Sequence, residues 1–495
     1  MKRSALTLAL LAAAVTSLPA MAQSAKDFEE LRNEVLRLRK ELNEMKAQKP
    51  APAAPMAAAA PAPVADPALT ERLEVLELKQ KDAVVAGDIP GSFRLPGSET
   101  SIKLYGYAEI NAIREFKGDN SSNDYSTFLP YAPVGGTTPR KGQTLIHART
   151  SRLGVESSTP TPYGPLGVKI EGDFNNDPRL GNAASGGSDK SILTQQALNS
   201  YNFRLRQAIG TFAGFTVGQT WSTFMDIDNS PETVDFNGPI GSTFIRQGVI
   251  RYTYTSPEIG SLTAALENPV SYVYDRGGYI QKSGHSKLPD VVLRFDRAFE
   301  WGALSLRGVT QEIGINRDAG KDSNYTDSNG DPIQVGSLSV KKRGYGFGST
   351  ALYKLRGGQD SLSLGVTYGN GIGRYFNYIE GAFLDETNNR LLLEKAAGVV
   401  VGYQYKQSDM LRANFVYGWQ QNISNEYNKF ALANDLGSGQ YGINKRLYQA
   451  HLGMIYTPVK NVDLGAEYIF GQRTTLTGEK GDLSRVNLMA RYTFN

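Results

Sequence analysis

The sequence has 495 residues, 40% of them hydrophobic, a formal charge of +4 and no cysteine. Without cysteine there is no disulfide framework, thiol nucleophile or thiolate metal site, and a balance this near neutral excludes a nucleic-acid partner held by bulk charge. A mean hydropathy of −0.35 resembles that of a soluble chain, but a transmembrane β-barrel alternates lipid-facing and lumen-facing residues and averages to a similar value.

Residues 1–22 have the three parts of an export signal. Lys2 and Arg3 form the basic start, Leu6–Val15 the apolar core, and Ala20-Met21-Ala22 a small-x-small cleavage site. The core is too short to span a bilayer as a helix. Removing this segment takes away two bases and no acid and leaves a charge of +2. Residues 23–48 place Phe28, Leu31, Val35, Leu38, Leu42 and Met45 on one seam, with charged residues around it. That spacing predicts a periplasmic α-helical coiled coil. A coil so short is marginal alone and needs a larger assembly to hold it together, and it offers a possible cell-wall contact. Residues 49–100 read as a linker: an Ala/Pro-rich spacer, a short helix carrying Leu69, Leu73 and Leu76, and a Gly/Pro-marked entry to the next domain.

From Ser101 to residue 495 the period changes to two. In Ile102–Ile110, the apolar or small residues Ile102, Leu104, Gly106, Ala108 and Ile110 alternate with Lys103, Tyr105, Tyr107 and Glu109. Comparable runs recur at Val168–Phe174, Leu362–Tyr368, Leu411–Trp419, Tyr448–Tyr456, Val462–Phe470 and Val486–Phe494. Connections between such runs alternate short and long. Seven short ones lie near residues 160–165, 210–213, 257–260, 300–302, 357–360, 407–409 and 458–461. Eight long polar ones lie near residues 117–143, 176–199, 225–243, 271–288, 317–339, 370–393, 425–445 and 474–481. The count predicts an all-β transmembrane barrel of about sixteen antiparallel strands, with short periplasmic turns and longer external loops.

One face of the late strands is apolar with aromatics near its ends, among them Tyr417, Trp419, Tyr456, Tyr468, Phe470, Tyr492 and Phe494. The other carries Arg412, Asn414, Gln420, Asp463, Glu467, Arg485, Asn487 and Arg491. Aromatic girdles at outer-membrane lipid interfaces explain the first face. A water-filled lumen explains the second, because so many charges have no place in a dry core.

The third long connection, Met225–Thr243, holds Asp226, Asp228, Glu232 and Asp235 and no Lys or Arg. Arg204 and Arg206 precede it and Arg251 follows. Alternation turns these arginines inward, along with Lys103, Lys169, Arg294, Arg307, Arg412 and Arg491. Glu109, Glu171, Asp173, Glu267, Asp296 and Glu467 should also face in. Charge at a narrow point of a low-dielectric pore dominates its field, and a guanidinium fork suits a carboxylate. The expectation is therefore an eyelet in which Arg152, Arg204, Arg206 and Arg251 bind anions, opposed by Asp226, Asp228, Glu232 and Asp235. The plainer reading is that the arginines pair with wall acids and hold the loop in place.

At these residues the chain resembles the DcaP-like trimeric outer-membrane porins. The resemblance is carried by Leu104-Tyr105-Gly106-Tyr107, Ser151-Arg152-Leu153-Gly154, Glu171-Gly172-Asp173-Phe174, Arg204-Leu205-Arg206, Gly218-Gln219-Thr220-Trp221-Ser222, Pro231-Glu232-Thr233-Val234-Asp235-Phe236 and Leu266-Glu267-Asn268-Pro269. It implies a homotrimer of sixteen-stranded barrels in the bacterial outer membrane. It also implies a third loop folded inward, and passive diffusion with a leaning towards small organic anions such as dicarboxylates. The chain departs from the usual terminal aromatic, since Asn495 follows Phe494.

Other classes have less support. His147, His285 and His451 are scattered and lie in no catalytic or metal-binding motif, so neither catalysis nor a cofactor is expected. Asp327-Ser328-Asn329-Gly330-Asp331 reads as a loop tip, with too few ligands following for calcium. A phosphate-selective type of porin needs a denser basic ladder than this mixed wall supplies. A structural anchor between outer membrane and cell wall would have little conductance.

Overall fold

In the computed structural model, the described residues are 36, 37, 40, 85–95, 97–118, 129, 132–134, 142–176, 202–281, 283–326, 332–376, 381–439 and 441–494. The export signal, nearly all of the expected coiled coil, the Ala/Pro spacer and Asn495 lie outside them. The chain divides into two compact units, residues 1–104 with 156–167, and residues 105–155 with 168–495.

In the first unit, Val85–Ala86 pairs with Phe93–Arg94, which pairs in turn with Ser101 and Ile102. The Ser101 hydroxyl accepts the Asp88 N–H at 2.8 Å. The 160–165 turn is tied by the Thr161 hydroxyl, which donates to the Gly164 carbonyl at 2.5 Å.

The second unit holds the barrel. Its strands among the described residues are β1 (Ser101–Lys117), β2 (Gln143–His147, continuing as Arg152–Thr159), β3 (Leu166–Asn176), β4 (Asn202–Phe212), β5 (Phe215–Trp221), β6 (Arg246–Ser256), β7 (Gly260–Glu267) and β8 (Asp290–Phe299). They continue as β9 (Gly302–Arg317), β10 (Leu338–Leu355), β11 (Asp360–Asn370), β12 (Lys395–Lys406), β13 (Leu411–Asn422), β14 (Asn444–Val459), β15 (Val462–Thr475) and β16 (Lys480–Phe494). Residues 101–104 and 156–167 of the first three strands fall in the first unit. Successive strands pair in antiparallel fashion, and β16 returns to β1 with Ala490 opposite Ile110. The result is a closed barrel of sixteen antiparallel strands, as the alternating connections predict. The break in β2 between His147 and Arg152 interrupts a run that the two-residue period alone would leave continuous.

Period-two alternation sorts the side chains. Leu153, Ile170, Leu205, Ile250, Leu293, Phe347, Phe415, Leu452 and Leu488 are exposed on the outer face, while Glu171, Asp173, Arg206, Arg307, Asn414 and Glu467 are buried on the inner side. Apolar exposure on this scale is untenable in water and suits lipid.

Apolar packing inside the barrel comes from loops. Loop 3 (residues 222–245) folds in and seats Phe224 with Val292, Val309, Tyr375 and Phe376, Ile240 with Leu447 and Ile469, and Val234 with Ile455 and Met489. Loop 6 (residues 371–394) forms a hairpin, Ala382–Asp385 with Arg390–Leu393. One side of this hairpin packs Leu384, Leu391 and Leu393 on Val273, Ile313 and Ile315. Its other side packs Phe383 and Leu392 on Tyr427 and Ala431 of helix α1 (Glu426–Ala433) in loop 7. Asn425 caps α1 by accepting the Tyr427 N–H at 2.9 Å.

Candidate functional site: the constriction at loop 3

Two close approaches show which wall loop 3 lies on. A Cβ added at Gly402 of β12 would meet Pro231 Cβ at 2.2 Å, and one at Gly418 of β13 would meet the Ile240 carbonyl oxygen at 2.1 Å. Both separations are shorter than van der Waals contact, so glycine at these positions is what lets the loop rest on β12 and β13.

Polar anchors run the length of the loop. Arg307 reaches the Phe224 carbonyl at 3.3 Å, and Arg294 donates to the carbonyl of Met225 and stands 3.4 Å from Asp226. The Ser363 hydroxyl donates to the Asn229 carbonyl. Glu232 receives a bidentate clamp from Arg412 at 2.8 and 2.9 Å, with Gln404 donating at 2.9 Å. Further on, Glu467 accepts the N–H groups of Val234 and Asp235 at 3.0 and 2.9 Å, and Gln449 accepts that of Ile240 at 3.2 Å. Asp235 is 2% exposed. Burial pushes its carboxyl above the ordinary range, against the lowering pull of His451 and Arg485.

Loop 6 braces the loop's C-terminal base, with Thr243 bridging to Phe376. Tyr375 is fully buried and donates to Asp290 at 2.8 Å while accepting from Gln247 at 2.9 Å. Burial and the neighbouring Glu267 and Asp290 raise the pKa of its hydroxyl. Arg374 reaches Asp290 at 2.5 Å.

The other wall is made by β1 to β7. Arg204 clamps Asp173 with two bonds of 2.9 Å. Arg206 donates to both Glu171 and Asp173 at 2.8 Å, and Arg152 lies 3.7 Å from Glu171. Aromatic rings back these cations. Phe236, at the loop's far side, lies under Arg204 and Arg206 at 5.8 and 5.6 Å, and Tyr107 lies under Arg152 and Arg491 at 5.0 and 4.6 Å. Arg251 differs from these. No carboxylate lies within ion-pair distance of it among the described residues, and its Nη1 stands 3.5 Å from the Trp221 carbonyl oxygen.

Among the described residues, no ion pair joins the four arginines to the four loop acids; the charges pair within each side. Arg204 and Arg206 take Glu171 and Asp173 as partners, two acids expected only as part of a mixed wall. Asp226 and Glu232 go to Arg294 and Arg412 on the loop's own side. Asp235 is buried beside Glu467. Asp228 is exposed and has no ion-pair partner among the described residues.

Between loop 3 and β3 to β9 lies an open cavity of about 850 Å³. Its charged lining is Lys169, Arg251, Arg294 and Arg297 against Asp228 and Asp296; with Asp226, which Arg294 also meets, the excess is one positive charge. Around Arg251 the wall is hydroxyl-rich: Thr216, Thr220, Thr253, Thr255, Ser261 and Thr263. Thr253 with Thr263 and Thr255 with Ser261 pair at 3.0 Å. A hydroxyl both donates and accepts, so such a surface can replace part of the hydration of a passing polar solute. The described residues contain no cluster suited to a metal ion. Sequence reasoning missed Glu467, Gln449, Arg374 and Tyr375 as loop supports. Their inward facing or loop position was legible, but their partners lie up to 233 residues away.

The family model described as DcaP outer membrane protein matches residues 73–494. Among solved structures, the crystal structure of the outer membrane channel DcaP of Acinetobacter baumannii is 24% identical, with a TM-score of 0.63, covering 83% of this chain and all of that one. In vitro folded OmpT, an outer membrane protein of Vibrio cholerae in its trimer form, is 14% identical, with a TM-score of 0.47, covering 80% of this chain and 99% of that one. No curated protein matches the chain.

Proposed function

The chain belongs to the DcaP outer membrane protein family, and from that premise we propose that it is a passive channel for small hydrophilic solutes, favouring small organic anions such as dicarboxylates. The observation that carries this reading is Arg251, a half-buried guanidinium without a carboxylate partner among the described residues, set in a hydroxyl-lined cavity with excess positive charge. A carboxylate entering there meets a fork able to donate two hydrogen bonds, and hydroxyls that replace its water. Arg152, Arg204 and Arg206 extend the positive wall, weakened by Glu171 and Asp173. Among the loop acids, Asp226 and Glu232 are neutralised by Arg294 and Arg412, so they anchor the constriction without repelling anions. Weak, solvated contacts of this kind let a solute both enter and leave.

The working unit in this reading is a homotrimer, resting on the family resemblance. The test is single-channel recording of reconstituted protein in a salt gradient. A reversal potential on the anion side and current block by succinate at millimolar concentration are expected. Cation selectivity, or a sealed barrel, refutes the reading. Stronger block by phosphate than by succinate would favour a phosphate-selective channel instead.

A further inference from the structure

A basic patch sits on the outer surface of the barrel, away from the lumen. On β10 the outward positions alternate as Tyr353, Ala351, Ser349, Phe347, Tyr345, Arg343 and Lys341. Tyr353, Tyr345 and Phe347 are 36%, 43% and 61% exposed. At the turn end, Tyr353 stacks on Trp301 with ring centroids 4.8 Å apart, and Trp301 stacks on Phe299 at 4.8 Å. From Tyr353 to Tyr345 is eight strand residues, about 26 Å along the strand at ~3.3 Å each before tilt is taken out. With a tilt of about 40° taken out, this is about 20 Å of height, most of an outer-membrane apolar band of about 25 Å. Tyr345 and Phe347 therefore mark the lipid interface on the long-loop side.

Beyond that boundary the face turns cationic. Arg343 lies two residues past Tyr345, about 7 Å farther along the strand, and Lys341 two past that. Arg343 stands opposite Glu312 of β9 and Lys341 opposite Gly314. Glu312 organises the group. Its carboxylate lies 3.2 Å from the ammonium of Lys341 and accepts the Lys287 N–H of loop 4 (residues 268–289) at 3.0 Å. Arg343 donates to the Thr310 hydroxyl at 3.2 Å. Lys287 and Arg343 are exposed, and the Lys341 side chain is 67% exposed. Lys341 and Arg343 thus flank one acid, with the exposed Lys287 adjoining it through its backbone N–H, at the depth of lipid headgroups and above an apolar face that holds Leu293, Leu306 and Phe347.

We infer that the outward face of β8, β9 and β10 binds a phosphorylated lipid headgroup of the outer leaflet, through Lys287, Lys341 and Arg343, with the acyl chains lying on Leu293, Leu306 and Phe347. Charge and depth select the occupant together. A phosphate on a lipid is held at this height by its own chains, so it meets the cations while the chains cover the apolar strip. A soluble anion gains only the first contact.

The test uses the full-length channel purified in detergent, titrated with bisphosphorylated lipid A and with its dephosphorylated form, and bound lipid counted by native mass spectrometry. The phosphorylated form is expected to bind more tightly. Replacing both Lys341 and Arg343 by alanine should weaken it about tenfold or more, given roughly a fivefold step per basic residue near a charged surface. Lys287→Ala, which leaves strand pairing untouched, is a second variant with a smaller loss. Unit conductance and heat-modifiable gel mobility should match wild type in both. Equal binding of the two lipids, unchanged affinity in both variants, or full displacement by inorganic phosphate at millimolar concentration would overturn the assignment.

Discussion

Replacing Arg251 by alanine is the most direct probe of selectivity. Arg251 lines the cavity beside loop 3 and has no carboxylate partner among the described residues, so its removal subtracts one charge without stranding a buried acid. Two unit charges about 5 Å apart interact by about 0.8 kcal/mol at the dielectric of water and about 3 kcal/mol at an effective dielectric of 20. The cavity is open to solvent and lined by hydroxyls, so the lower part of that range applies, about 0.8 to 1.4 kcal/mol. That corresponds to a four- to tenfold fall, roughly, in anion partitioning at the site, with a cation gaining by a similar factor, so the permeability ratio should fall by more than either alone. The measurement is the zero-current potential across a planar bilayer at a salt gradient centred near 0.1 M, repeated near 1 M. The Debye length shrinks from about 10 Å to about 3 Å between these conditions, so the difference between variant and wild type should shrink with it. Arg251→Lys separates charge from geometry: selectivity should persist while succinate block weakens, because the bidentate fork is gone. Unaltered reversal potential and block in Arg251→Ala would refute the proposed role. Arg206→Ala is less informative, since it leaves Glu171 and Asp173 short of a partner and perturbs the wall as well as the charge.

Glu232→Ala removes the bidentate contact to Arg412. Discounting for partial exposure, loop 3 loses about 1 kcal/mol of anchoring, and larger, noisier unit currents should appear in single-channel traces. Gly402→Ala acts in the opposite direction: a methyl group cannot share the space of Pro231, so the loop should move into the lumen and unit conductance should fall. Tyr375→Phe removes one hydrogen bond each from Asp290, which keeps Arg374, and from Gln247, which keeps Glu267, and should cost about 1 kcal/mol, seen as a lower unfolding temperature in detergent.

The barrel was legible because its physics is local. Two-residue alternation follows from the pleat, and turn length follows from which side of the membrane the chain turns on. Inward and outward assignments along β3 and β4 followed from the same rule, which is why Glu171, Asp173, Arg204 and Arg206 were all expected in the lumen. Pairing was not legible, because alternation gives the facing of a side chain and not its height relative to the next strand. Glu232 and Arg412 are separated by 180 residues, and nothing near either one announces the other. From the sequence, loop 6 and the segment of helix α1 read as polar connections. Their apolar residues, such as Phe383, Leu384, Leu391, Leu392 and Tyr427, acquire meaning from packing on one another and on loop 4. Loop packing of that kind has no fixed period, so pattern reading passes over it.

An acidic loop inside a channel proposed to favour anions looks self-defeating, and the pairing scheme removes the difficulty. A lumen with comparable numbers of acids and bases has a field set by which charges are neutralised locally, not by the totals. Loop 3 spends Asp226 and Glu232 on arginines of the wall that it rests on, and Asp235 sits in a buried site where ionisation is disfavoured. The same acids that would repel an anion in isolation thus hold the loop against β8 to β15 and keep the passage open along β4 to β7. On that open side, under the proposed function, Arg251 and the hydroxyl wall are what a solute would meet. Anchoring and selectivity are then separable: changes at Glu232, Glu467 or Gly402 should alter pore width, and changes at Arg251 should alter which charge passes.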